Sequence, residues 1–419
     1  MNSIDFSLRP FRLAAAAILL SMPFPTRAQE DYSTWFNTRQ VMFNTSATGA
    51  GIPSDQIGFP VLIRLDEAQS EVFSSAKTHG EDLRFSKAAD GKHLPYEIES
   101  WDAAAKTAAI WVRVDTLKGN KDGQFILMHC GNANAADSSN GAAVFGGGGF
   151  DAGNGYSAVW HLGASLEDAT GNTPAALDSG TTPAAGLIGP ARKFTNTDAY
   201  AATGQYIAIG SPASLNIAGT ITLEAWIKWQ SKLNHRIVIC HGSAASNSSE
   251  TVLRVGEYQD YRTGIWNGKV HHAHKAAAAA DSNTWVHIAG VYDGTKWTLY
   301  RNGVAVHDTA DPGFGAQSSP AAWRIGAQWT SQGVQRFFHG DIDEVRLSKT
   351  ARSADWLKLG YENQKENQGL VRIGIAGTSV FSTPRRRAQN PGFRHYGWKF
   401  HRRNVLGQTE KPANALPSR

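Results

Sequence analysis

The chain has 419 residues, of which 41% are hydrophobic and 18% charged; this is a globular composition and excludes a chain that is disordered throughout. Its 42 Gly, 13 Trp, 11 Tyr and 18 Phe, without a heptad pattern, exclude a helical bundle and favour β-structure. The net charge of +5 comes from the two ends, and the −6 of residues 29–371 excludes a nucleic-acid partner, because counterion release requires clustered cations.

Residues 1–28 have the three-part pattern of a secretory signal. Arg9 and Arg12 precede the apolar run Leu13–Met22, and small residues lead to Ala28. An uncleaved anchor is the alternative, but a membrane-spanning helix needs about 20 apolar residues. We therefore predict cleavage after Ala28 and a mature protein that is secreted or periplasmic and has no membrane-spanning segment.

Residues 29–145 are predicted to form an all-β domain. Phe59, Val61, Ile63 and Leu65 recur at every second position, as in a strand with one buried face. Further β-rich runs follow, separated by turn dipeptides: Asp82–Ser86, Leu94–Trp101, Ala108–Val114 and Gln124–Cys130. A Gly-containing stretch, residues 146–157, is predicted to be a linker.

Residues 158–363 are predicted to form a second β-domain. Asn267-Gly268 and Asn302-Gly303 each lie between strand-like runs and predict two hairpins. A helix is predicted over Ser353–Glu362, with Ser353 as its N-cap. Strands at this spacing predict two antiparallel sheets packed face to face.

One strand of this second domain shows strict alternation and is expected to be partly buried on both faces. Its two sets are Leu223, Ala225, Ile227 and Trp229 on one face, and Glu224, Trp226 and Lys228 on the other.

The last segment, residues 364–419, differs in kind from the body. Residues 372–419 carry a charge of +9, four prolines and little periodicity, so we predict a basic, disordered tail. A shift of reading frame would also produce so abrupt a change. The two cysteines, Cys130 and Cys240, are predicted to be buried thiols, with a disulfide as the unsupported alternative.

Two sets of motifs carry a family resemblance. Residues 187–348 resemble the laminin-G-like (concanavalin A-like) jelly roll through Gly189-Pro190-Ala191-Arg192-Lys193-Phe194, Leu223-Glu224-Ala225-Trp226-Ile227, Trp285-Val286-His287-Ile288-Ala289, Leu299-Tyr300-Arg301-Asn302-Gly303 and Gly340-Asp341-Ile342-Asp343-Glu344-Val345-Arg346. The upstream domain resembles the bacterial DUF2341 domain through Asp82-Leu83-Arg84-Phe85, Leu94-Pro95-Tyr96-Glu97-Ile98-Glu99-Ser100-Trp101 and Ala109-Ile110-Trp111-Val112. The resemblance implies an all-β fold class, a β-sandwich domain followed by a concanavalin A-like jelly-roll β-sandwich.

The same resemblance suggests a calcium site. Asp168-Ala169-Thr170-Gly171-Asn172 matches the Asp-x-x-Gly-Asn loop of such jelly rolls, so Asp168 and Asn172 are candidate ligands. In Gly340–Ser348, alternation places Asp343 on the apolar face with Val345 and Leu347, where an unpaired carboxylate is costly. Asp343 is therefore the third candidate ligand. The alternatives are that Asp168 caps a turn and that Asp343 accepts backbone N–H groups or pairs with an arginine.

Glycan hydrolysis is the enzymatic alternative, because some jelly-roll relatives are glucanases. Alternation places Asp341 and Asp343 on the same face of this strand, and the next residue on that face is Val345. Glu344 is expected to point to the opposite face. Since no second carboxylate follows, the strand lacks an acid/nucleophile pair, and we expect no enzymatic activity.

Two further residue groups were considered as sites. His271, His272 and His274 are interpreted as a solvated hairpin edge rather than a metal site, and the chain has no Cys/His spacing typical of structural zinc. Five tryptophans exceed what one sandwich core needs, so an exposed ring is expected to offer a platform for sugars. They are Trp226, Trp266, Trp297, Trp323 and Trp329.

These features predict a secreted, non-catalytic binding or adhesion protein that calcium stabilises, with a glycan or an envelope or extracellular protein as its partner. The first alternative is an accessory periplasmic component of an Exb/Tol-type biopolymer transport system, because relatives with this domain pair continue into a channel-like segment; residues 364–419 do not resemble one. The second alternative is a glycoside hydrolase.

Overall fold

The computed structural model describes residues 30–146, 155–230, 235–242, 250–256 and 260–374. The predicted signal peptide, most of the predicted linker and the chain after residue 374 lie outside the described residues. All described residues belong to one compact unit, Met1–Thr378; a second unit, Ser379–Arg419, contains none of them.

Residues 30–146 form two sheets and two short helices. Their elements are β1 (Asn37–Asn44), β2 (Gln56–Leu65), α1 (Ser70–Ser75), β3 (Arg84–Lys87), β4 (His93–Leu94), β5 (Tyr96–Asp102), β6 (Thr107–Leu117), β7 (Asp122–Cys130) and α2 (Gly141–Phe145). Strands β2, β6 and β5 form an antiparallel three-stranded sheet. Strands β1, β7, β3 and β4 belong to a second sheet, which packs on the first through a common apolar core.

The described parts of residues 155–374 form the remaining elements. They are β8 (Ala158–Trp160), β9 (Leu177–Ser179), β10 (Thr182–Ala185), β11 (Pro190–Thr195), β12 (Tyr206–Gly210), β13 (Ile221–Trp229), β14 (Arg236–Gly242), β15 (Glu250–Val255), β16 (Asp260–Trp266), β17 (Val270–Ala276), β18 (Val286–Tyr292), β19 (Lys296–Arg301), β20 (Val304–Ala310), β21 (Trp323–Ile325), β22 (Gln328–Thr330), β23 (Gly333–Gln335), β24 (His339–Ser348), α3 (Ala354–Gln364) and β25 (Val371–Ile373).

Strands β8–β21 and β24 make the predicted pair of facing sheets, whereas β22 and β23 form a separate hairpin. An eight-stranded sheet has the order β10-β11-β24-β13-β18-β19-β20, with β8 also paired to β24. A seven-stranded sheet has the order β17-β16-β15-β14-β21-β12-β9. Their inner faces form one core, to which β13 contributes Leu223, Ala225, Ile227 and Trp229 as the alternation predicted. The all-β fold class is confirmed.

The predicted turns and helix are also confirmed. Asn302 and Gly303 have φ angles of 49° and 73° and join β19 to β20, and Gly268, with φ of 100°, lies between β16 and β17. Positive φ is the conformation that such tight hairpin turns require. Ser353 caps α3, its hydroxyl accepting the Trp356 N–H at 3.1 Å. Both cysteines are free and buried.

The outer face of the eight-stranded sheet is covered by residues 30–146. Ala289, Val291 and Tyr300 from β18 and β19 belong to the same apolar core as the three-stranded sheet. Helix α3 fills the boundary, where Trp356 lies against Phe59 with ring centroids 4.9 Å apart. The two sandwiches therefore share an apolar core at their boundary. Burial of a side chain such as Trp356 contributes roughly 1.5–3 kcal/mol to the free energy of unfolding.

The end of α3 is fixed to β2 by a buried side chain. Asn363 Oδ1 accepts the Leu62 N–H at 2.7 Å, and Asn363 Nδ2 donates to the Leu62 carbonyl at 2.9 Å. The next residue, Gln364, accepts the Trp226 indole N–H at 2.6 Å. These contacts join β2 and β13 through a single helix end.

Regular secondary structure extends into the segment that was predicted to be a disordered tail. Residues 371–373 form β25, which pairs antiparallel with β1 from Val41 to Phe43. The ordered structure therefore passes the predicted boundary at residue 363 and returns to the sheet that contains β1 and β7.

Strand β24 departs from simple alternation at a β-bulge. Trp226 pairs with Asp343 and Glu224 pairs with Arg346, so one residue of β13, Ala225, lies opposite two residues of β24. Glu344 has a φ angle of 51°, which a bulge accommodates. The extra residue keeps Ile342, Val345 and Leu347 in the sandwich core.

The bulge corrects the predicted orientation of Asp343. This carboxylate does not share a face with Val345 and Leu347 but lies on the outer face, opposite Trp226 on β13. Glu344 is turned toward the same boundary, where it contacts His161 and Arg346. Alternation failed here because it assumes one residue for each partner residue across the whole strand.

A buried histidine on β7 makes the stability of the fold depend on pH. His129 is fully buried, and its nitrogens contact Thr38 Oγ1 at 3.0 Å and Ser86 Oγ at 2.9 Å. Burial lowers the pKa of His129 to about 4. In the unfolded chain the imidazole has a pKa of about 6.5, so acid protonates the unfolded state first.

We therefore predict that His129 contributes stability above pH 6.5 that is lost as the pH falls toward 4. Between pH 7.5 and pH 5 the loss is about 2 kcal/mol in the free energy of unfolding. The measurement is denaturant unfolding of the wild type and His129→Gln at both pH values. A stability difference between the two proteins that is the same at both pH values contradicts the prediction.

Candidate functional site

Five ionisable side chains lie together at the boundary between the three-stranded sheet and the outer face of the eight-stranded sheet. Glu97 and Glu99 come from β5, His161 follows β8, and Asp343 and Glu344 come from β24. We call these five residues the Glu–His cluster.

Local backbone irregularities aim the side chains of the Glu–His cluster. Glu99 is the extra residue of a bulge in β5, because Ile98 pairs with Ile110 and Ser100 with Ala109. Glu344 lies in the β24 bulge described above. Bulges re-aim side chains and are frequent next to functional sites.

His161 is the centre of the cluster. Its Nδ1 lies 2.5 Å from Glu344 Oε1 and 3.5 Å from Glu99 Oε2, and its Nε2 lies 3.3 Å from Glu97 Oε2. The side chains of His161, Glu99 and Glu344 are 12%, 4% and 0% exposed. Within the described part of the chain, these three are the one group of His, Cys, Asp and Glu whose ligand atoms all lie within 4.8 Å of one another.

The cluster's charges perturb one another strongly. Burial opposes the charged form of His161, but the negative charges of Glu344, Glu99 and Glu97 outweigh it and hold its pKa well above the ordinary value. Burial also opposes ionisation of Glu344, yet His161 and Arg346 lower its pKa. The site therefore contains a buried imidazolium–carboxylate pair.

The pKa values of the other two buried carboxyl groups, Glu99 and Asp343, are raised, whereas that of Glu344 is lowered. Burial, with repulsion from Glu344, raises the pKa of Glu99 to about 8. Burial and the charges of Glu344 and Glu99 raise the pKa of Asp343 well above its ordinary value. Near neutral pH, Glu99 thus favours its protonated form.

Neighbouring side chains fix the cluster's orientation. Arg346 donates to Glu344 Oε2 through Nε at 3.1 Å and Nη2 at 2.5 Å, and its guanidinium lies 4.5 Å from the Trp111 ring centroid. The Trp111 indole N–H donates to Glu99 Oε2 at 2.6 Å. The carboxylates of Glu344 and Glu99 are therefore each held in place by a hydrogen-bond donor.

Two carboxylate oxygens of the cluster are buried and have no hydrogen-bond donor, Glu99 Oε1 and Asp343 Oδ1. Gly189 passes so close to Glu99 that a Cβ there would lie 2.7 Å from Oε1, and its φ of 60° also favours glycine. A buried unsatisfied oxygen is costly, so these two atoms are acceptors that a ligand could use.

The predicted calcium ligand Asp168 has its acceptor positions filled by protein donors. Oδ1 accepts the N–H groups of Val159 and Thr170 at 2.9 and 3.0 Å, and Oδ2 accepts the Thr173 N–H at 3.0 Å. The Thr170 hydroxyl contacts both oxygens at 2.8 Å. This arrangement matches the alternative that Asp168 caps a turn, and it does not fit a calcium ion.

The structure places the other two predicted ligands in different surroundings. Asn172 lies near Asp168, and its Nδ2 donates to the Ser157 carbonyl at 3.2 Å, as does the Thr170 hydroxyl at 3.5 Å. Asp343 Oδ2 accepts the N–H groups of Leu187 and Ile188 at 2.9 and 3.0 Å, which matches the alternative stated for it. Only Asp343 of the three belongs to the Glu–His cluster. Calcium binding stays a prediction.

We predict that Asp168→Ala lowers the free energy of unfolding by about 3 kcal/mol, because it leaves three buried N–H groups without an acceptor. The loss is expected to be equal in excess calcium and in chelator, as measured by thermal and denaturant unfolding. Asn172→Ala, which removes only donors to carbonyls, is the milder control. A loss that occurs only in calcium contradicts this assignment.

A carboxylate from another strand approaches β24, which the prediction for β24 alone did not consider. Glu99, distant in sequence, brings a carboxylate oxygen within 4.8 Å of Glu344. Retaining glycosidases hold two carboxyl groups about 5 Å apart, so the spacing alone resembles theirs. Here the side chains of Glu99 and Glu344 are only 4% and 0% exposed.

The tryptophans divide as predicted between core and surface. Trp226, Trp297 and Trp323 are buried, Trp266 is half-buried, and Trp329 is 46% exposed. Arg324 lies over the Trp329 ring at 5.5 Å.

The histidine group is not a solvated edge throughout. His274 is exposed, but His271 is buried between Asp311 and Asn267, at 2.6 and 3.1 Å. His272 is also buried, and burial together with nearby arginines lowers its pKa to about 2. The sequence interpretation is therefore wrong for two of the three residues.

A cavity of about 500 Å³ opens beside the end of α3, and we call it the aromatic cavity. Trp226 and Tyr361 stack in its wall with ring centroids 5.7 Å apart. Its lining consists of Leu187, Trp226, Lys228, Asn283, Thr284, Trp285, Tyr361, Lys365, Glu366 and Asn367. The wall thus combines three aromatic rings with amide, hydroxyl and charged groups.

Two family models match parts of the chain. Residues 79–162 match the family model described as a domain of unknown function, DUF2341, and residues 201–358 match the concanavalin A-like lectin/glucanases superfamily. The predicted pair of domains and their order are confirmed. No match was found among curated proteins.

Solved structures share part of the fold. Domain 4 of AbnA, an extracellular GH43 arabinanase from Geobacillus stearothermophilus, in complex with arabinotriose, is 16% identical, with a TM-score of 0.37 over 48% of this chain and 96% of that one. The CBM40 of a Ruminococcus gnavus sialidase, bound to α2,3 sialyllactose, is 12% identical, with a TM-score of 0.31 over 44% and 98%. The receptor-binding domain of botulinum neurotoxin C/D mosaic serotype is 14% identical, with a TM-score of 0.39 over 50% and 51%.

Among the described residues, no helix combines the length and the hydrophobicity that a membrane span requires.

Proposed function

We propose that this protein is a secreted, non-catalytic carbohydrate-binding protein whose glycan occupies the aromatic cavity. The observation that carries the proposal is the composition of that cavity. Sites for small ligands combine apolar and aromatic walls with a few convergent polar groups, in volumes of about 300–1,000 Å³. The aromatic cavity, at about 500 Å³, has this size and composition.

The chemistry of the lining suits a sugar. Trp285 and Tyr361 are half-buried, so each keeps part of its ring accessible. A ring face packs against the C–H face of a pyranose or furanose, and amide and hydroxyl groups bond its hydroxyls. Asn283 and Thr284 are exposed at the rim and supply such groups.

The wall of the cavity is held rigid, which lowers the entropic cost of binding. The Trp226 indole donates to Gln364, and Lys365 is paired with Glu362 at 2.7 Å while its Nζ lies 5.4 Å from the Tyr361 ring centroid. Preorganised side chains lose little freedom when a ligand binds.

Two further observations support the non-catalytic and secreted parts of the proposal. The closely spaced carboxylates Glu99 and Glu344 are 4% and 0% exposed, and neither lines the aromatic cavity. The apolar and basic pattern of residues 1–28 is typical of an export signal.

The test is a glycan-array screen of the full chain, followed by calorimetry with the glycan that binds. We expect Trp285→Ala to weaken binding at least tenfold, about 1.4 kcal/mol, because it removes the accessible ring of the cavity. Trp329→Ala is the matched control, since it removes an exposed tryptophan on the β22–β23 hairpin.

The two variants distinguish the aromatic cavity from the surface around the exposed Trp329. Loss of binding in Trp285→Ala with retention in Trp329→Ala supports the aromatic cavity. The reverse pattern assigns binding to the exposed Trp329 platform and rejects the cavity. A screen without any bound glycan, or product release from a bound one, contradicts the proposed function itself.

A further inference from the structure

We propose that His161 Nδ1, Glu344 Oε1 and the Glu99 carboxylate bind one divalent transition-metal ion, which links the two β-sandwiches. The three donor groups come from β5, from the residue after β8, and from β24. One imidazole with two carboxylates is a ligand set that zinc and related first-row ions accept. The proposal is independent of the glycan-binding function.

The spacing of the donor atoms suits one small ion. Zinc forms bonds of about 2.0 Å, so two ligands of a tetrahedral ion lie roughly 3.3 Å apart. His161 Nδ1 and Glu99 Oε2 are 3.5 Å apart, and all three donors lie within 4.8 Å of one another. His161 Nδ1 and Glu344 Oε1, now 2.5 Å apart, need to separate by less than 1 Å.

The groups behind the donors form the outer shell that metal ligands characteristically have. His161 Nε2 lies 3.3 Å from the Glu97 carboxylate, which gives the carboxylate–histidine arrangement typical of metal-bound imidazole. Arg346 holds the distal oxygen of Glu344, and the Trp111 N–H holds Glu99. Every proposed ligand is therefore already oriented by a second group.

Two buried oxygens of the cluster are free to accept a cation. Glu99 is 4% exposed and Asp343 is fully buried, and Glu99 Oε1 and Asp343 Oδ1 have no donor. The charges of Glu344 and Glu99 both act on Asp343, so its free oxygen lies in the field of the same cluster. A buried carboxylate is stabilised when it is paired or metal-bound.

The formal charges around the Glu–His cluster also suit a divalent ion. Four carboxylates, those of the Glu–His cluster, face the guanidinium groups of Arg346 and Arg64, the latter coupled to Glu99, Asp343 and Glu344. Glu224 and Arg352, the next charges along the boundary, cancel each other. With all four carboxyl groups ionised and His161 neutral, a divalent ion and the two guanidinium groups bring the formal charge to zero. Metal binding therefore displaces the protons that His161 and Glu99 hold in the metal-free protein.

A cavity of about 620 Å³ lies next to the site. Ser100, the residue after Glu99, and Gly189 both line it. A Cβ on Gly189 would lie 2.7 Å from Glu99 Oε1, so no larger residue fits between the cavity and this carboxyl group. We therefore expect an ion to reach Glu99 from this side.

The experiment uses the full chain, free of affinity tags, stripped with chelator and titrated with Zn²⁺. We expect one equivalent by elemental analysis and a melting temperature raised by about 5 °C at a hundredfold excess over Kd. Glu99→Gln and His161→Gln are expected to weaken Zn²⁺ binding at least about 100-fold.

Glu99→Gln separates metal binding from folding. It keeps the shape of the side chain and replaces a carboxyl group whose protonated form burial already favours in the metal-free protein, so the metal-free variant is expected to melt no lower than the wild type. His287→Gln is the matched control, because His287 is a buried histidine at the same boundary, 3.5 Å from Glu224, outside the proposed ligand set. It should retain the bound equivalent.

The proposal is overturned if wild-type protein binds no stoichiometric Zn²⁺, or if Glu99→Gln binds it as tightly as the wild type does. If His161→Gln fails to fold, Glu99→Gln decides alone. Equal loss of Zn²⁺ in His287→Gln and Glu99→Gln also rejects the assignment, because it indicates a general structural effect.

Discussion

The β24 bulge is the constraint on which the remaining architecture depends. By inserting one residue opposite Ala225, it lets Ile342, Val345 and Leu347 stay in the sandwich core while Glu344 turns outward. Without the extra residue, every side chain beyond it would exchange faces. A strand buried along its whole length can therefore present carboxylates to one neighbour and aliphatic groups to the other.

This division explains why two domain families appear as one compact unit. The outer face of the eight-stranded sheet offers Ala289 and Val291 as apolar contacts and Glu344 and Arg346 as charged ones. Apolar burial supplies most of the stabilisation across the boundary, whereas buried ion pairs contribute little net stability. The charged groups are better understood as determinants of register and ligand chemistry.

Local signals in the sequence predicted much of the fold. The Asn-Gly dipeptides and the Ser353 cap act within a few residues, and the structure confirms each of them. The alternation in β13 identified the core face because no bulge residue lies within that strand. The two families were recognisable for the same reason, since their motifs follow strands and turns.

The Glu–His cluster could not be predicted in this way. His161 and Glu344 are 183 residues apart, and no spacing rule joins them. Glu99 and Glu344 each sit at a bulge, which a period of two does not detect. The one usable signal was the cost of burying Asp343, which suggested a cation near β24 although the predicted partners Asp168 and Asn172 lie elsewhere.

The pairing of β25 with β1 has a consequence for how the molecule can be divided. A chain cut where the concanavalin A-like match stops, at residue 358, loses the turn of α3 that holds Leu62 and uncovers one side of β1. An uncovered strand edge recruits other strands and favours aggregation. Neither sandwich is thus a separable module, and fragments drawn from family limits should be less soluble than the intact molecule.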